Sequence, residues 1–328
     1  MKVCIFGAGA IGGYIAGHLG SVPDVEVSVV ARGAHLAAIR EKGLRVITPE
    51  RDQTVRVRAT DNAAELGPQD YVFITLKSHQ VTPALAMMRP LLGQHTAVLP
   101  PTTGIPYWYF HGLDGPHEGR RLDRLDPGGL QWQALDPARV IGCVYWVGTE
   151  SPEPGVARQD RGGSSLPIGE PDGSRSERVM RLAEVMKQGG LHAPVRSDIR
   201  GEIWIKMINS MCWNPVAVLA MATLGEICAR PELVDLVRRM MGEAEAVAAA
   251  LGATITVPME RRIAVTARLT HHKMSMLQDL ERGRPLEIDV LKDSIVAMCE
   301  LAGVTTPTID ALLDLVRLRA TTASARPA

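Results

Sequence analysis

The hydrophobic pattern changes character along the chain: short apolar runs alternate with helix-compatible stretches first, and amphipathic helical periodicity follows alone. Residues 2–6 form an apolar run that ends in a glycine turn, then comes a helix-compatible stretch to Leu19, and residues 25–30 supply a second strand. Together they make a β-turn-α-β unit. Further strands are expected at 71–75, 96–99, 140–146 and 164–168, with a helix at 175–188 and a last edge strand at 192–196. Residues 104–138, rich in Gly, Pro and charge, read as an irregular excursion. From Asp198 onward the periodicity predicts helices over 201–221, 231–251, 259–282, 287–301 and 307–319. Alternating β and α followed by helices predicts an α/β protein: a doubly wound sheet over 1–197, an all-α domain over 198–319, and a frayed tail at 320–328.

Composition narrows the function classes. The length of 328 residues suits two cores. Lys and Arg together number 36, as do Asp and Glu, so no net field attracts a polyanion, and no nucleic-acid partner is expected. The five cysteines (Cys4, Cys143, Cys212, Cys228 and Cys299) form no CxxC pair and no metal-ligand spacing. They read as reduced thiols, with no metal expected. No run approaches the ~18 apolar residues of a membrane span, and the N-terminus leads straight into a glycine turn. A cytoplasmic protein with no membrane partner is the expectation.

The turn after the first strand carries the clearest chemistry. Gly7, Ala8, Gly9, Ala10, Ile11 and Gly12 spell GxGxxG between a strand and a helix, with a second strand ending about twenty residues on. In that context the N-terminal domain is Rossmann-type. Gly7 permits the tight turn, Gly9 lets a pyrophosphate approach the backbone, and Gly12 allows close helix–strand packing. Helix N–H groups then hold the anion. At the end of the second strand, where an acidic residue would bind the ribose hydroxyls of NAD, stands Arg32. A guanidinium suits a 2′-phosphate, so NADP(H) is the expected cofactor. Lys77, just past another strand, could add positive charge beside the adenosine phosphate or ribose; a solvated loop lysine is the plain alternative.

Lys206 is the second candidate. Glu202, Lys206, Ser210 and Asn214 recur every four residues and line one strip of a largely apolar helix, beside Trp204, Met207, Ile208 and Met211. Such a strip suits a substrate-facing wall, although an ordinary Glu202–Lys206 ion pair on a solvated face would give the same spacing. His79, His111, His271 and His272 have no partner at a spacing that suggests a metal site or a nucleophilic triad.

With these residues placed, the chain resembles the ketopantoate reductase (2-dehydropantoate 2-reductase) family over nearly its whole length. The resemblance is carried by the Gly7 to Gly12 turn, by Thr75, Leu76 and Lys77, by Trp204, Ile205 and Lys206 with Asn214 and Pro215, and by the segment 275–279 followed by Glu287, Ile288 and Asp289. It implies that Lys206 is the catalytic acid, that Glu287 lies at the ribose and substrate side, that Asn214 and Ser275 contact substrate, and that Arg32 and Lys77 contact NADPH. An ammonium beside the carbonyl stabilises the charge that develops there and donates the proton, and burial would lower its pKa with Glu287 opposing.

Three positions depart from the family pattern. Thr103 replaces an amide near nicotinamide and substrate, Ser210 replaces an asparagine in the substrate set, and Leu224 replaces a polar residue. Each swap removes hydrogen-bonding capacity from the substrate side. The run Ile105, Pro106, Tyr107, Trp108, Tyr109 and Phe110 suggests a more apolar entrance. The expectation is an NADPH-dependent reductase of a small 2-oxo acid, ketopantoate foremost. A relative acting on another ketone or hydroxy acid, and a non-enzymatic NADPH-binding protein, are the alternatives. By fold analogy the helical domain is expected to form a homodimer.

Overall fold

A computed structural model describes residues 1–159 and 163–324. The chain divides into two compact units, one of Met1–Thr102 with Pro106–Ile199, the other of Thr103–Ile105 with the helical remainder from Arg200.

The first unit is built on a parallel sheet. Its strands are β1 (Lys2–Phe6), β2 (Glu26–Val30), β5 (Arg58–Thr60), β6 (Gln69–Ile74) and β7 (Leu92–Leu99), in the order β5-β2-β1-β6-β7. Nearly every residue of β1, β2 and β6 is buried, because a parallel sheet is covered on both faces. The chain winds outward from β1 through β2 to β5, then returns to β6 and β7 on the other side of β1. This reversal creates the crevice at the carboxyl ends of the strands where doubly wound folds bind ligands. The associated helices are α1 (Ala10–Leu19), α2 (Gly33–Lys42), α3 (Ser78–Met88), the short α4 (Leu130–Ala134) and α5 (Glu177–Gln188).

A second sheet of this unit is absent from the sequence expectations. It comprises β3 (Leu44–Thr48), β4 (Arg51–Val55), β9 (Thr149–Glu150) and β10 (Val156–Gln159), ordered β4-β3-β10-β9. Helix α1 packs against β3 and β10. At Gly17 a Cβ would collide with Val46, so this close packing requires a glycine in mid-helix. Covered by both sheets, α1 is buried from Gly12 to Leu19.

The strands expected at 140–146 and 164–168 shrink to β8 (Gly142–Cys143) and β11 (Ile168–Gly169), with isolated bridges at Trp146–Ser165 and Val98–Val140. The edge strand expected at 192–196 is one bridge, Val195 to Ile168. Pro167 and Pro194 accept from the N–H groups of Val144 and Ile168 but have none to donate, which ends the ladders. The expected apolar entrance is also corrected. Tyr107, Trp108, Tyr109 and Phe110 are all at most 5% exposed. Trp108 lies against Gly142, and the Tyr107 hydroxyl donates to the Leu135 carbonyl at 2.8 Å. The aromatic run is core.

The second unit is helical: α6 (Ile199–Ala220, whose first residue belongs to the first unit), α7 (Leu224–Cys228), α8 (Pro231–Ala250), α9 (Met259–Ala267), α10 (Ser275–Glu281), α11 (Ile288–Ala302) and α12 (Pro307–Ser324). The single helix expected over 259–282 is two helices, α9 and α10. Between them, the Thr270 and His272 carbonyls accept from the N–H groups of Gly225 and Leu224 at 3.0 and 2.9 Å. Those bonds satisfy the opening turn of α7, and Gly225 is required because a Cβ there would collide with Thr270. The Glu243 carboxylate accepts from the N–H of Thr308 at 3.0 and 3.1 Å and from that of Ile309 at 3.1 Å, anchoring the start of α12. That helix runs on to Ser324, where a frayed tail was expected from residue 320; residues 325–328 lie outside the described residues. Among the described residues, no helix is long and apolar enough to cross a membrane.

Candidate functional site

The first unit gathers three candidate groups at the carboxyl ends of adjacent strands β2, β1 and β6. After β1 the backbone turns at Gly7, whose φ of +111° favours glycine, and the Gly7 N–H donates to the Val30 carbonyl at 3.0 Å. The Thr75 hydroxyl, just past β6, donates to the Gly7 carbonyl at 2.5 Å. A Cβ on Gly12 would strike both the Gly7 carbonyl and that hydroxyl. Turn, helix and strand end are thus locked together, and Thr75 is a positioning group for which sequence reasoning had given no role.

This turn fits a dinucleotide pyrophosphate. Gly9 is the N-cap of α1, no side chain caps that helix, and its first turn contains no acidic residue. A Cβ at Gly9 would meet no atom within 4 Å, so the approach to the opening N–H groups is clear. Ala8 is buried beneath the turn, while Ala10 and Ile11 are partly exposed. Arg32 follows β2 as the exposed N-cap of α2, again with no side-chain cap and no acid in the first turn. Lys77 follows β6 as the N-cap of α3, its N–H donating to Gln80 Oε1 at 3.3 Å. The turn, Arg32 and Lys77 therefore occupy one edge of one sheet, all three in cationic or N–H-rich surroundings that suit an anion.

The second unit holds the acid–base candidates. Lys206 sits in α6 flanked by Trp204 and Met207, both fully buried, and is itself partly buried. Burial lowers its pKa from 10.5 to about 8, and the negative charge of Glu287 works against that shift. Glu287 is the partly exposed N-cap of α11. The pair is therefore an ammonium made easier to deprotonate and a carboxylate that limits the effect.

The remaining candidates differ in how the structure places them. Ser210 is partly exposed one turn beyond Lys206. Asn214 is only 1% exposed; its amide donates to the Ser210 carbonyl at 2.9 Å and accepts from the Met276 N–H at 3.0 Å. Ser275 is exposed at the first position of α10, immediately before Met276. Leu224 is buried in the helical core. Thr103 is partly exposed and belongs to the helical unit, as do Gly104 and Ile105. His79 and His271 are exposed, and among the described residues no cluster of His, Cys, Asp or Glu could hold a metal ion.

Comparison with known proteins agrees along the chain. Residues 3–105 match the family described as ketopantoate reductase PanE/ApbA, and residues 198–320 match its C-terminal domain. A 2-dehydropantoate 2-reductase of Mesorhizobium japonicum is 49% identical over 317 residues, covering 97% of both chains. A crystal structure from Ralstonia solanacearum MolK2, provisionally described as a ketopantoate reductase, superposes with a TM-score of 0.90 at 39% identity, covering 98% of both chains. A D-mandelate dehydrogenase in complex with NADH and anilino(oxo)acetate shares the fold, with a TM-score of 0.81 at 20% identity over 98% of this chain and 99% of that one.

Proposed function

Because the chain belongs to the ketopantoate reductase family of oxidoreductases, we propose that it reduces ketopantoate to pantoate with NADPH, using Lys206 as the general acid. The observation that carries this reading is the partly buried Lys206 ammonium, lowered to about 8 and opposed by Glu287. An acid of that strength is largely protonated at neutral pH and still releases its proton readily.

The Gly7 to Gly12 turn would hold the pyrophosphate, Arg32 the 2′-phosphate, and Lys77 the adenosine side, with Thr103 near the nicotinamide. When bound, NADPH supplies the hydride that the carbonyl carbon gains. The Lys206 ammonium stabilises the negative charge building on the carbonyl oxygen and passes a proton to it, leaving a neutral amine that water reprotonates. Glu287 keeps Lys206 from losing its proton too early and orients a substrate hydroxyl. Ser210, Asn214 and Ser275 form the substrate side of the assignment. We place the protein in the cytoplasm as a homodimer, a state that light scattering would test.

A second reading, reduction of a different 2-oxo acid or ketone, is favoured by two positions. Leu224 is buried and presents no polar group, and Ser210 reaches less far than the asparagine the family pattern carries.

Lys206→Ala tests the chemistry. It should lower kcat with ketopantoate and NADPH by about 10²- to 10⁴-fold, the usual loss for a missing general acid. An unchanged kcat would remove Lys206 from the mechanism. Arg32→Ala should raise the KM for NADPH by roughly ten- to a hundredfold and leave that for NADH nearly unaltered, as loss of charged hydrogen bonds to one phosphate predicts.

A further inference from the structure

Within the helical unit, Ser294 of α11 is fully buried and makes two hydrogen bonds. Its hydroxyl donates to the Val290 carbonyl at 2.7 Å and accepts from the Ile105 N–H at 2.9 Å. Gly104 has a φ of +80°, and a Cβ there would strike the Ser294 hydroxyl. A serine one turn beyond Val290 thus replaces a water or backbone partner for Ile105 and sets how closely Gly104 approaches the helix. The fastened segment begins with Thr103, four residues past the end of β7. The fastening helix has Glu287 as its N-cap, two turns before Ser294, and Glu287 is the carboxylate whose charge Lys206 feels.

We propose that Ser294 is a positioning residue for the reduction: its hydroxyl holds the Thr103–Ile105 segment on α11 and so fixes Thr103 relative to Glu287. Ser294 is fully buried, with its hydroxyl on Val290 and Ile105, so it acts through the segment it holds. The inference rests on the proposed reductase activity and adds to it a residue that acts through another. Misplacing a group at a reacting centre by an ångström can cost as much as about a hundredfold in rate, so the consequence should appear in turnover.

The test is a double-mutant cycle on kcat/KM for ketopantoate with NADPH, paired with hydrogen exchange at the Ile105 amide. Ser294→Ala should lower kcat/KM by about tenfold in the native background and by less than about threefold when Thr103→Ala is already present, because the two act as one unit. The Ile105 amide should exchange faster in Ser294→Ala. Ser294→Thr, which keeps the hydroxyl, should restore both readouts relative to Ser294→Val, which has nearly the same shape without it; this pair decides the matter if the alanine variant fails to fold. Additive effects, an unchanged kcat/KM in Ser294→Ala, or equal behaviour of the threonine and valine variants would overturn the proposal. Absence of reduction by the unmodified chain would overturn the functional reading instead, and the exchange measurement would still decide whether Ser294 holds the segment.

Discussion

The Asn214 side-chain oxygen accepts a hydrogen bond from the backbone N–H of Met276 at 3.0 Å, tying the first turn of α10 to the middle of α6. With its amide nitrogen on the Ser210 carbonyl and 1% exposure, Asn214 acts as a clamp that sets where Ser275 stands. Asn214→Ala should destabilise the protein by about 1–3 kcal/mol, the cost of stranding a buried amide, and should raise the substrate KM as Ser275 shifts. Denaturant unfolding alongside steady-state kinetics checks this. Full stability with only a raised KM would mean that Asn214 serves the substrate alone and does not hold α10 to α6.

With Lys206 as the proposed general acid, the rate of reduction should be level at lower pH and fall as pH rises past about 8. The Glu287 charge raises the Lys206 pKa against the larger effect of burial. Glu287→Gln removes that support, and the falling limb of the pH–kcat profile should move to lower pH. A limb that stays in place or moves upward would contradict the pairing.

Lys206 also carries a stability cost. Its folded pKa lies below the unfolded value of 10.5, so the cost of the charge is present in full below about pH 8 and fades as pH climbs towards 10.5. A shift of that size corresponds to up to about 3 kcal/mol. Lys206→Met, similar in volume and uncharged, should therefore unfold at higher denaturant concentration near pH 7 while losing activity, with the gain shrinking above about pH 8. Equal or lower stability in the methionine variant would show that the ammonium is better solvated than its surroundings indicate.

The Thr75 hydroxyl holds the Gly7 carbonyl at 2.5 Å. Thr75→Val keeps the shape and deletes the bond, which should weaken NADPH binding by about tenfold, as one lost hydrogen bond predicts, and leave the pH limb of Lys206 in place. Calorimetric titration measures the first and kinetics the second.

Strands β1, β2, β6 and β7, the glycine turn and the long C-terminal helices were legible because each has a local signature: an apolar run, a GxGxxG spacing, a helical period; β5 and α7, of three and five residues, have none. The sheet of β3, β4, β9 and β10 was not. Its strands carry Arg45, Asp52 and Arg158 among their apolar positions, and β10 pairs with β3 across about a hundred residues. Gly17, which lets that sheet approach α1, reads in sequence only as a weak point in a helix. The break between α9 and α10 contains neither Gly nor Pro; it depends on the Gly225 and Leu224 N–H groups of α7 donating to the Thr270 and His272 carbonyls. Lys206 and Glu287 could be picked out by periodicity and family resemblance. The resemblance also implied that Glu287 opposes the Lys206 shift, whereas the Ser294 and Asn214 clamps depend on contacts between segments distant in sequence.

NADPH-dependent reduction of ketopantoate is tested most directly by the steady-state kcat/KM of the unmodified protein, measured beside NADH and a panel of other 2-oxo acids and ketones. Ketopantoate with NADPH should be the preferred pair, by about tenfold or more over NADH, the gain expected from charged hydrogen bonds to the extra phosphate. Negligible turnover of ketopantoate, with rapid turnover of a bulkier or more apolar ketone, would contradict it.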